Sequence, residues 1–557
     1  MSDDDGAPAV KPKKVQRISQ ACDLCHRRSI RCRPSNESPK SHCQNCFDFG
    51  VDCTYNRPSK RRRKSTGANV SPIVGTENHR ASTNTTPTSD GDPGNKSVSR
   101  PATEMIITPG NVPDYTGAYG LVRAGKPADA TGVAWRAFAL ASGPTIERYL
   151  EIFMEVLYPF APFFHGPTLW ERVKRREYLT DPGFLASVMA ACAFAASRAR
   201  DGAAEGRFTH TDTPEKLSEI FFAAAENIID RDLKQAKSLD CLRAYGLLTM
   251  TAMQYGSVGA MHQHVGTYTT LCAMMHFHDE DRWPGGISPV EREERRRLFW
   301  SMYCLDVFIS VVFDSIMKSQ ETLSNVRYPY EIDDEDLTTE GTAAYPLNEN
   351  NWLHGFNFVT DLYRILELTI KRMRGIRDVR DDRMSITRLL IVDGIPEEQI
   401  MDNVIRIYHE LPQIFKAYDL PLSGDRRQNL IGSQAANIQV TLQLVRMTVF
   451  STNSQQNVNQ KCCIAEQFLA TYHEIAQHHL RAISIPLIHH LGSIGRILSS
   501  VMGSVLCEET YSRVRSLLVS MADLLQNVES ALQPTAGASG ELRKQIEKID
   551  GYMEVQR

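Results

Sequence analysis

Six cysteines fall between residues 22 and 53, at Cys22, Cys25, Cys32, Cys43, Cys46 and Cys53. Their spacing is C-x2-C-x6-C-x10-C-x2-C-x6-C, two like halves joined by ten residues. A C-x2-C pair brings two thiolates to one metal from a single turn, and each half repeats that device. Zinc takes four tetrahedral ligands, with Zn–S near ~2.3 Å, and thiolates suit it. Two separate all-thiolate sites would use more cysteines than the segment has. Six suffice for two zinc ions if two of the thiolates bridge both metals. The same segment is dense in positive charge: His26, Arg27, Arg28 and Arg31 lie between the second and third cysteines, with Ser29 among them, and Arg33 follows. Residues 26–31 are expected to form a short helix, with Arg27, Arg28 and Arg31 on or near one side. A helix end fixed by a metal can be laid in the major groove of double-stranded DNA, where an arginine fork reads guanine O6 and N7. Downstream, Lys60, Arg61, Arg62, Arg63 and Lys64 form a basic run. It reads as a nuclear import signal, as phosphate-tracking contacts, or as both.

What must position these residues is set by the rest of the chain. At 557 residues it exceeds one hydrophobic core, given roughly 100–200 residues per domain. Residues 1–64 hold 15 Lys/Arg against 7 Asp/Glu, a balance of +8, while the remainder holds 48 against 59, a balance of -11. A basic head on an acidic body is the asymmetry expected when one small part meets a polyanion. The other seven cysteines (Cys192, Cys241, Cys272, Cys304, Cys462, Cys463, Cys507) are scattered in apolar helical surroundings, as small core residues. No secretory signal is visible in "MSDDDGAPAV", and no run reaches the roughly 18 apolar residues needed to span a bilayer. The expectation is therefore a reducing, intracellular setting without disulfides and with no membrane partner.

Six segments follow from composition. Residues 1–20 are expected to be disordered, 21–55 to form the metal-binding unit and 56–64 the basic segment. Residues 65–140, rich in Ser, Thr, Asn, Gly and Pro, cannot bury enough apolar surface to order and should be a flexible tether. From about residue 145 apolar residues recur at helical spacing, in "TIERYLEIFMEVLYPFAPFFH", "EREERRRLFWSMYCLDVFISVVF" and "CCIAEQFLATYHEIAQHHLRAI" among others. Strand-like alternation is scarce, so 145–530 is expected to be all-helical, and 531–557 a polar tail with at most one exposed helix. Leu298, Phe299, Met302, Leu305, Phe308 and Ile309 form an apolar stripe. Arg295, Arg296 and Arg297 ahead of it read as solvated charges, and the acidic "EIDDEDL" as a solvated loop.

The cysteine block resembles the fungal Zn2Cys6 binuclear-cluster DNA-binding module over about residues 20–55. The resemblance implies two zinc ions, with the first and fourth cysteines, Cys22 and Cys43, as the bridging pair. It also places the readers of a CGG triplet at two adjacent positions, matching Arg28 and Ser29. The second is usually basic and here is serine, a departure from the pattern behind the family's CGG preference. His26, Arg27, Arg31 and Arg33 are then phosphate or auxiliary contacts. Residues 145–345 resemble the same family's middle-homology domain, through "YLEIFMEVLYPFAPFFHGPTLW", "GTYTTLCAMMHFHDED", "EERRRLFWSMYCLDVFIS" and "YPYEIDDEDL". That match departs at Asp314-Ser315-Ile316, where a Gly-Arg-Pro turn is common. In the family this domain regulates activity.

The expected fold class is a small Zn2Cys6 cluster of two short helix-plus-extended halves, tethered by a disordered linker to a large all-α domain. The expected function is a nuclear, zinc-dependent, sequence-specific DNA-binding transcription regulator. The resemblance favours an activator of RNA polymerase II genes in a fungal metabolic or biosynthetic pathway. Partners are double-stranded DNA and the transcription machinery or co-regulators. The linker has no heptad pattern, so the chain either binds DNA as a monomer or pairs as a homodimer through its helical body. Two other classes compete: a metal sensor or store using the same cysteines, and an enzyme. The best catalytic near-miss is "HEIAQHH", in which position 477 is Gln and His473 and His478 are five apart, about 140° around a helix. No phosphate-cradling loop, nucleophile elbow or dinucleotide fingerprint accompanies it.

Overall fold

A computed structural model describes residues 21–23, 25, 32, 43, 53–55, 143–205, 216–342, 350–377, 396–451, 458–500, 507–530, 532 and 537–556. The chain divides into two compact units, Met1–Val98 and Ser99–Arg557. The expected disordered start (1–20), basic segment (56–64) and tether (65–140) lie outside the described residues.

The second unit is built from helices. Helix α1 (Gly143–Ile152) continues through a wider turn, Phe153–Leu157, and the chain leaves it at Pro159. Three of the next helices start on a side-chain cap that satisfies an otherwise orphaned N–H. His165 caps α2 (Gly166–Lys174), Asp181 caps α3 (Pro182–Arg200) and Ser238 caps α5 (Leu239–Gln254). Helix α4 (Leu217–Ile228) packs on α3, and α6 (Val258–Met274) on α5. Helix α7 (Pro289–Val312) begins at Ser288, whose Oγ accepts from Glu291 N at 3.1 Å, with Pro289 pre-set for the first turn. Strands β1 (Leu337–Thr338) and β2 (Gly341–Thr342) form one short antiparallel pair, Leu337 opposite Thr342. Helices α8 (Trp352–Arg377), α9 (Glu397–Glu410), α10 (Arg426–Val449), α11 (Val458–Glu474), α12 (Gln477–Ile483), α13 (Ile485–Ser499), α14 (Glu508–Ser530) and α15 (Ala538–Gln556) follow among the described residues.

Packing follows the apolar patterns. Helix α3 is buried from Ser187 to Ser197 on every side, between α1, α4 and α5. It is long and apolar enough to cross a membrane by length and composition, and 78% of its most apolar window is buried inside the domain. Small residues make such closeness feasible. A Cβ on Gly246 in α5 would lie 2.8 Å from the Phe163 ring and 2.9 Å from the Met302 sulfur. Helix α10 packs on α8 and α13, joining the two halves of the domain.

Three sequence expectations are corrected. Arg295, Arg296 and Arg297 are not solvated: they are 5%, 2% and 0% exposed. The first turn of α7 is part-exposed, at Glu291 and Arg292; from Glu293 to Tyr303 the helix is buried on every side, so these arginines have no water-facing side. The acidic loop is not wholly solvated either, since Asp333 and Asp334 are buried at 8% and 6%. The 531–557 tail is not merely polar. Leu542, Ile546, Ile549 and Met553, at spacings of four, three and four, are buried as α15 packs on α13 and α14. Dense Glu and Lys between them hid that stripe. A smaller difference concerns "HEIAQHH": His473 ends α11 and His478 lies in α12, so the two are not on one helix.

Candidate metal centre

The described thiols of the first unit come together. Cys22, Cys25, Cys32 and Cys43 place their sulfur atoms within 4.8 Å of one another. Cys22 Sγ lies 3.8 Å from Cys43 Sγ, and Cys25 Sγ 3.5 Å from the same atom. A tetrahedron with Zn–S near ~2.3 Å has edges of about 3.8 Å, so these separations suit one four-thiolate zinc site. Cys22 and Cys25 are 0% exposed and Cys43 3%, and Cys32 and Cys53 pack against them half-buried.

Local backbone explains the convergence. Asp23 and Cys25 are helical, which turns both thiols of the first C-x2-C pair to one side. The Cys25 N–H donates to Cys22 Sγ at 3.3 Å, favouring negative sulfur there. The Asp23 N–H donates to the Thr54 carbonyl at 2.8 Å. That bond ties the end of the second cysteine half to the start of the first and carries Cys53 inward. Cysteine spacing contains no signal for it. Burial raises the Cys32 thiol pKa, the Cys22 backbone opposes this, and the Cys43 thiol adds to the rise. A dication held by these sulfurs would reverse that balance and keep them as thiolates.

Of the residues expected to act here, the structure thus gathers Cys22, Cys25, Cys32 and Cys43, with Cys53 beside them. Cys46 lies outside the described residues. So do the expected DNA-contacting residues His26, Arg27, Arg28, Ser29, Arg31 and Arg33, and the basic run Lys60, Arg61, Arg62, Arg63 and Lys64.

The second unit holds a different kind of charged centre. Arg297 Nη1 donates to Asp334 Oδ1 at 2.5 Å and to the Tyr158 hydroxyl at 2.9 Å. Asp334 Oδ2 accepts from that hydroxyl at 2.6 Å and from Gly166 N at 2.8 Å. Burial pushes the Asp334 carboxyl up, but Arg297, His165, Tyr158 and the Gly166 N–H outweigh it and leave it below the ordinary carboxylate range. Two Arg297 donors, Nε and Nη2, have no hydrogen-bond partner. Neighbouring turns repeat the device. Arg296 binds Glu293 and Glu280. Arg243 binds Glu294 and Asp240, both at 2.7 Å. Arg427 from α10 pairs with Asp333. The acidic loop is thereby clamped to α1, α2, α7 and α10. Its apolar neighbours Ile332 and Leu337 gave no hint of this from sequence.

Comparison with known proteins agrees with both units. Residues 20–62 match the fungal Zn(2)-Cys(6) binuclear cluster domain, and residues 150–429 the fungal specific transcription factor domain. "Activator of stress genes 1" of Saccharomyces cerevisiae is 25% identical over 190 residues, 32% of this chain and 19% of that protein. The xylanolytic transcriptional activator xlnR of Aspergillus flavus is 34% identical over 84 residues, 15% of this chain and 8% of that protein. Transcription factor yanR of Aspergillus niger is 27% identical over 190 residues, 31% of this chain and 23% of that protein. The matched stretches thus span less than a quarter of each of these relatives' lengths.

Proposed function

The chain belongs to the fungal specific transcription factor family, and from that membership we propose that it is a nuclear, sequence-specific DNA-binding regulator whose head is folded by two zinc ions. It is a transcription factor and not an enzyme. The observation that carries the reading is the convergence of four thiols within 4.8 Å, in a segment matching a zinc-cluster domain. Cys22, Cys25, Cys32 and Cys43 hold one ion. Cys22 and Cys43 bridge to a second, which Cys46 and Cys53 complete. Bound zinc supplies the cross-link and counter-charge that so small a segment cannot draw from an apolar core.

The residues do the recognition. Arg28 reads base edges in the major groove, and Ser29 beside it alters or relaxes the triplet preference. His26, Arg27, Arg31 and Arg33 position the head on phosphates, and residues 60–64 add salt-dependent affinity and nuclear import. The helical body recruits transcription machinery or co-regulators, activates rather than represses, and supplies the homodimer contact if paired half-sites are used. Its targets are genes of a metabolic or biosynthetic pathway.

The test is metal analysis with DNA selection on the full chain. Two zinc ions per chain, and DNA shifts abolished by chelation, are expected. A gel shift indifferent to chelation, or zinc far from two, overturns the reading and leaves the metal-store class. Ser29→Lys should move the selected motif; an unchanged motif removes Ser29 from base reading.

A further inference from the structure

Helices α3, α5, α7, α8, α10, α12 and α13 all line one half-open pocket of about 110 Å³. Its walls are mainly apolar, including Phe194, Met253, Phe308, Phe356 and Ile483. His490 of α13 also lines it, 2% exposed, and neither of its ring nitrogens has a hydrogen-bond partner. Its ring meets Phe308 edge-on, with centroids 5.1 Å apart.

We propose that this pocket binds a small monocyclic molecule, largely apolar and carrying one hydroxyl, with His490 as the group that recognises the hydroxyl. Size comes first. Cavities near ~150 Å³ with apolar walls take up benzene, so a pocket of this volume suits a single ring. The apolar lining supplies the attraction for the ring. A buried polar group without a partner is destabilising unless something completes it. Burial, with His489 adding to it, lowers the His490 pKa to about 3, so its imidazole is neutral. A neutral imidazole is donor at one nitrogen and acceptor at the other. A hydroxyl also gives and accepts, and can answer either nitrogen. A carboxylate only accepts. The one guanidinium on the wall, Arg198, spends Nη1 on the carbonyls of Ala482 and Ile483, at 3.0 and 2.6 Å, while its buried Nε has no hydrogen-bond partner, so benzoate separates recognition by Arg198 from recognition by His490. This inference does not depend on the DNA-binding head.

Calorimetric titration of the zinc-loaded full chain with phenol, toluene and benzoate at neutral pH tests it. Phenol should bind about tenfold tighter than toluene, and benzoate more weakly than phenol. His490→Phe should bring phenol to the toluene level while toluene still binds. Ala482→Leu, which fills the wall, should lower both at least tenfold, with helical circular dichroism confirming that each variant is folded. Absence of phenol binding to the unaltered chain overturns the proposal. So does benzoate binding tighter than phenol, or a phenol preference that survives His490→Phe.

Discussion

Cys22 and Cys25 in the head and Phe153 and Arg297 in the body are equally hidden, all at 0% exposure, but for different reasons. Among the described residues of the head, the buried cluster consists of cysteines. In the body, charged side chains are buried inside a continuous apolar core, Arg297 bonded to Tyr158, whose ring packs on Trp352. Both regions bury negative charge and must neutralise it. The body does so with arginines written into its own sequence. On the proposed zinc reading the head takes its cation from outside, which would link its folding to metal.

The largest effect should come from breaking that linkage. If Cys22 and Cys43 are shared ligands, Cys43→Ala releases both zinc ions and lowers DNA affinity by more than about 100-fold. Cys25→Ala, touching one ion only, should retain about one zinc per chain. The helical signal of the body should be unchanged in both. Equal zinc loss from the two variants, measured as metal per chain, removes the bridging assignment. Melting of the body on chelation removes the distinction between the regions.

The counterpart in the body is Arg297→Met, which leaves Asp334 buried without its guanidinium. Urea unfolding should show a loss of roughly 3–5 kcal/mol. Arg297→Met combined with Asp334→Leu should recover most of it, because the native pair leaves two arginine donors unanswered. A double variant as weak as the single one shows that the pair is worth more than apolar packing. Asp334 also sets an acid limit. Its folded pKa lies below the ordinary carboxylate value, so its contribution is complete above the unfolded value of about 4. It is lost as pH falls through the lower, folded value. Asp334→Asn should flatten that part of the acid-unfolding curve.

The two regions were unequally legible in sequence. In the head, spacing marked the four thiols that the structure brings together, Cys22, Cys25, Cys32 and Cys43, because a metal demands a fixed ligand count. It did not carry the Asp23–Thr54 link, which is backbone to backbone. In the body, period marked the helices but not their surroundings. Arg295, Arg296 and Arg297 look like a solvated run until α7 is seen to be enclosed from Glu293 to Tyr303, and Asp334 finds its partner 37 positions back in the chain. The break between α11 and α12 at Ile475–Ala476 was equally invisible, with no proline or glycine to announce it.

His490 sharpens the comparison from the side of pH. Burial lowers its pKa to about 3, against about 6.5 unfolded. The unfolded chain therefore binds a proton between those values that the folded chain refuses. Stability is complete above pH ~6.5 and falls below it by up to about 1.4 kcal/mol per pH unit. Between pH 7 and pH 5 this amounts to about 2 kcal/mol, and His490→Phe should remove that share of the slope. An unaltered slope in the variant assigns the acid sensitivity to another group.

The smallest effect concerns a departure already visible in sequence. Where a Gly-Arg-Pro turn is common, this chain has Asp314-Ser315-Ile316. Asp314 follows the last turn of α7, whose cap residue Phe313 donates its N–H to the Ile309 carbonyl. At that position helices often end in the left-handed region, and Asp314 does so with φ of 47°. A side chain there crowds its own backbone, while glycine has no Cβ to crowd. Ser315 next to it receives Arg374 Nη2 at 2.7 Å and Ser310 Oγ at 2.8 Å on its carbonyl, so the turn is held whatever residue precedes it. Asp314 is exposed, and its ion pair to Arg374 at 3.6 Å is of the kind that contributes little. Asp314→Gly should therefore raise the stability of the body by about 0.5–1 kcal/mol, read as a higher urea midpoint with an unchanged slope. A lower midpoint would mean that the Asp314–Arg374 pair outweighs the strain.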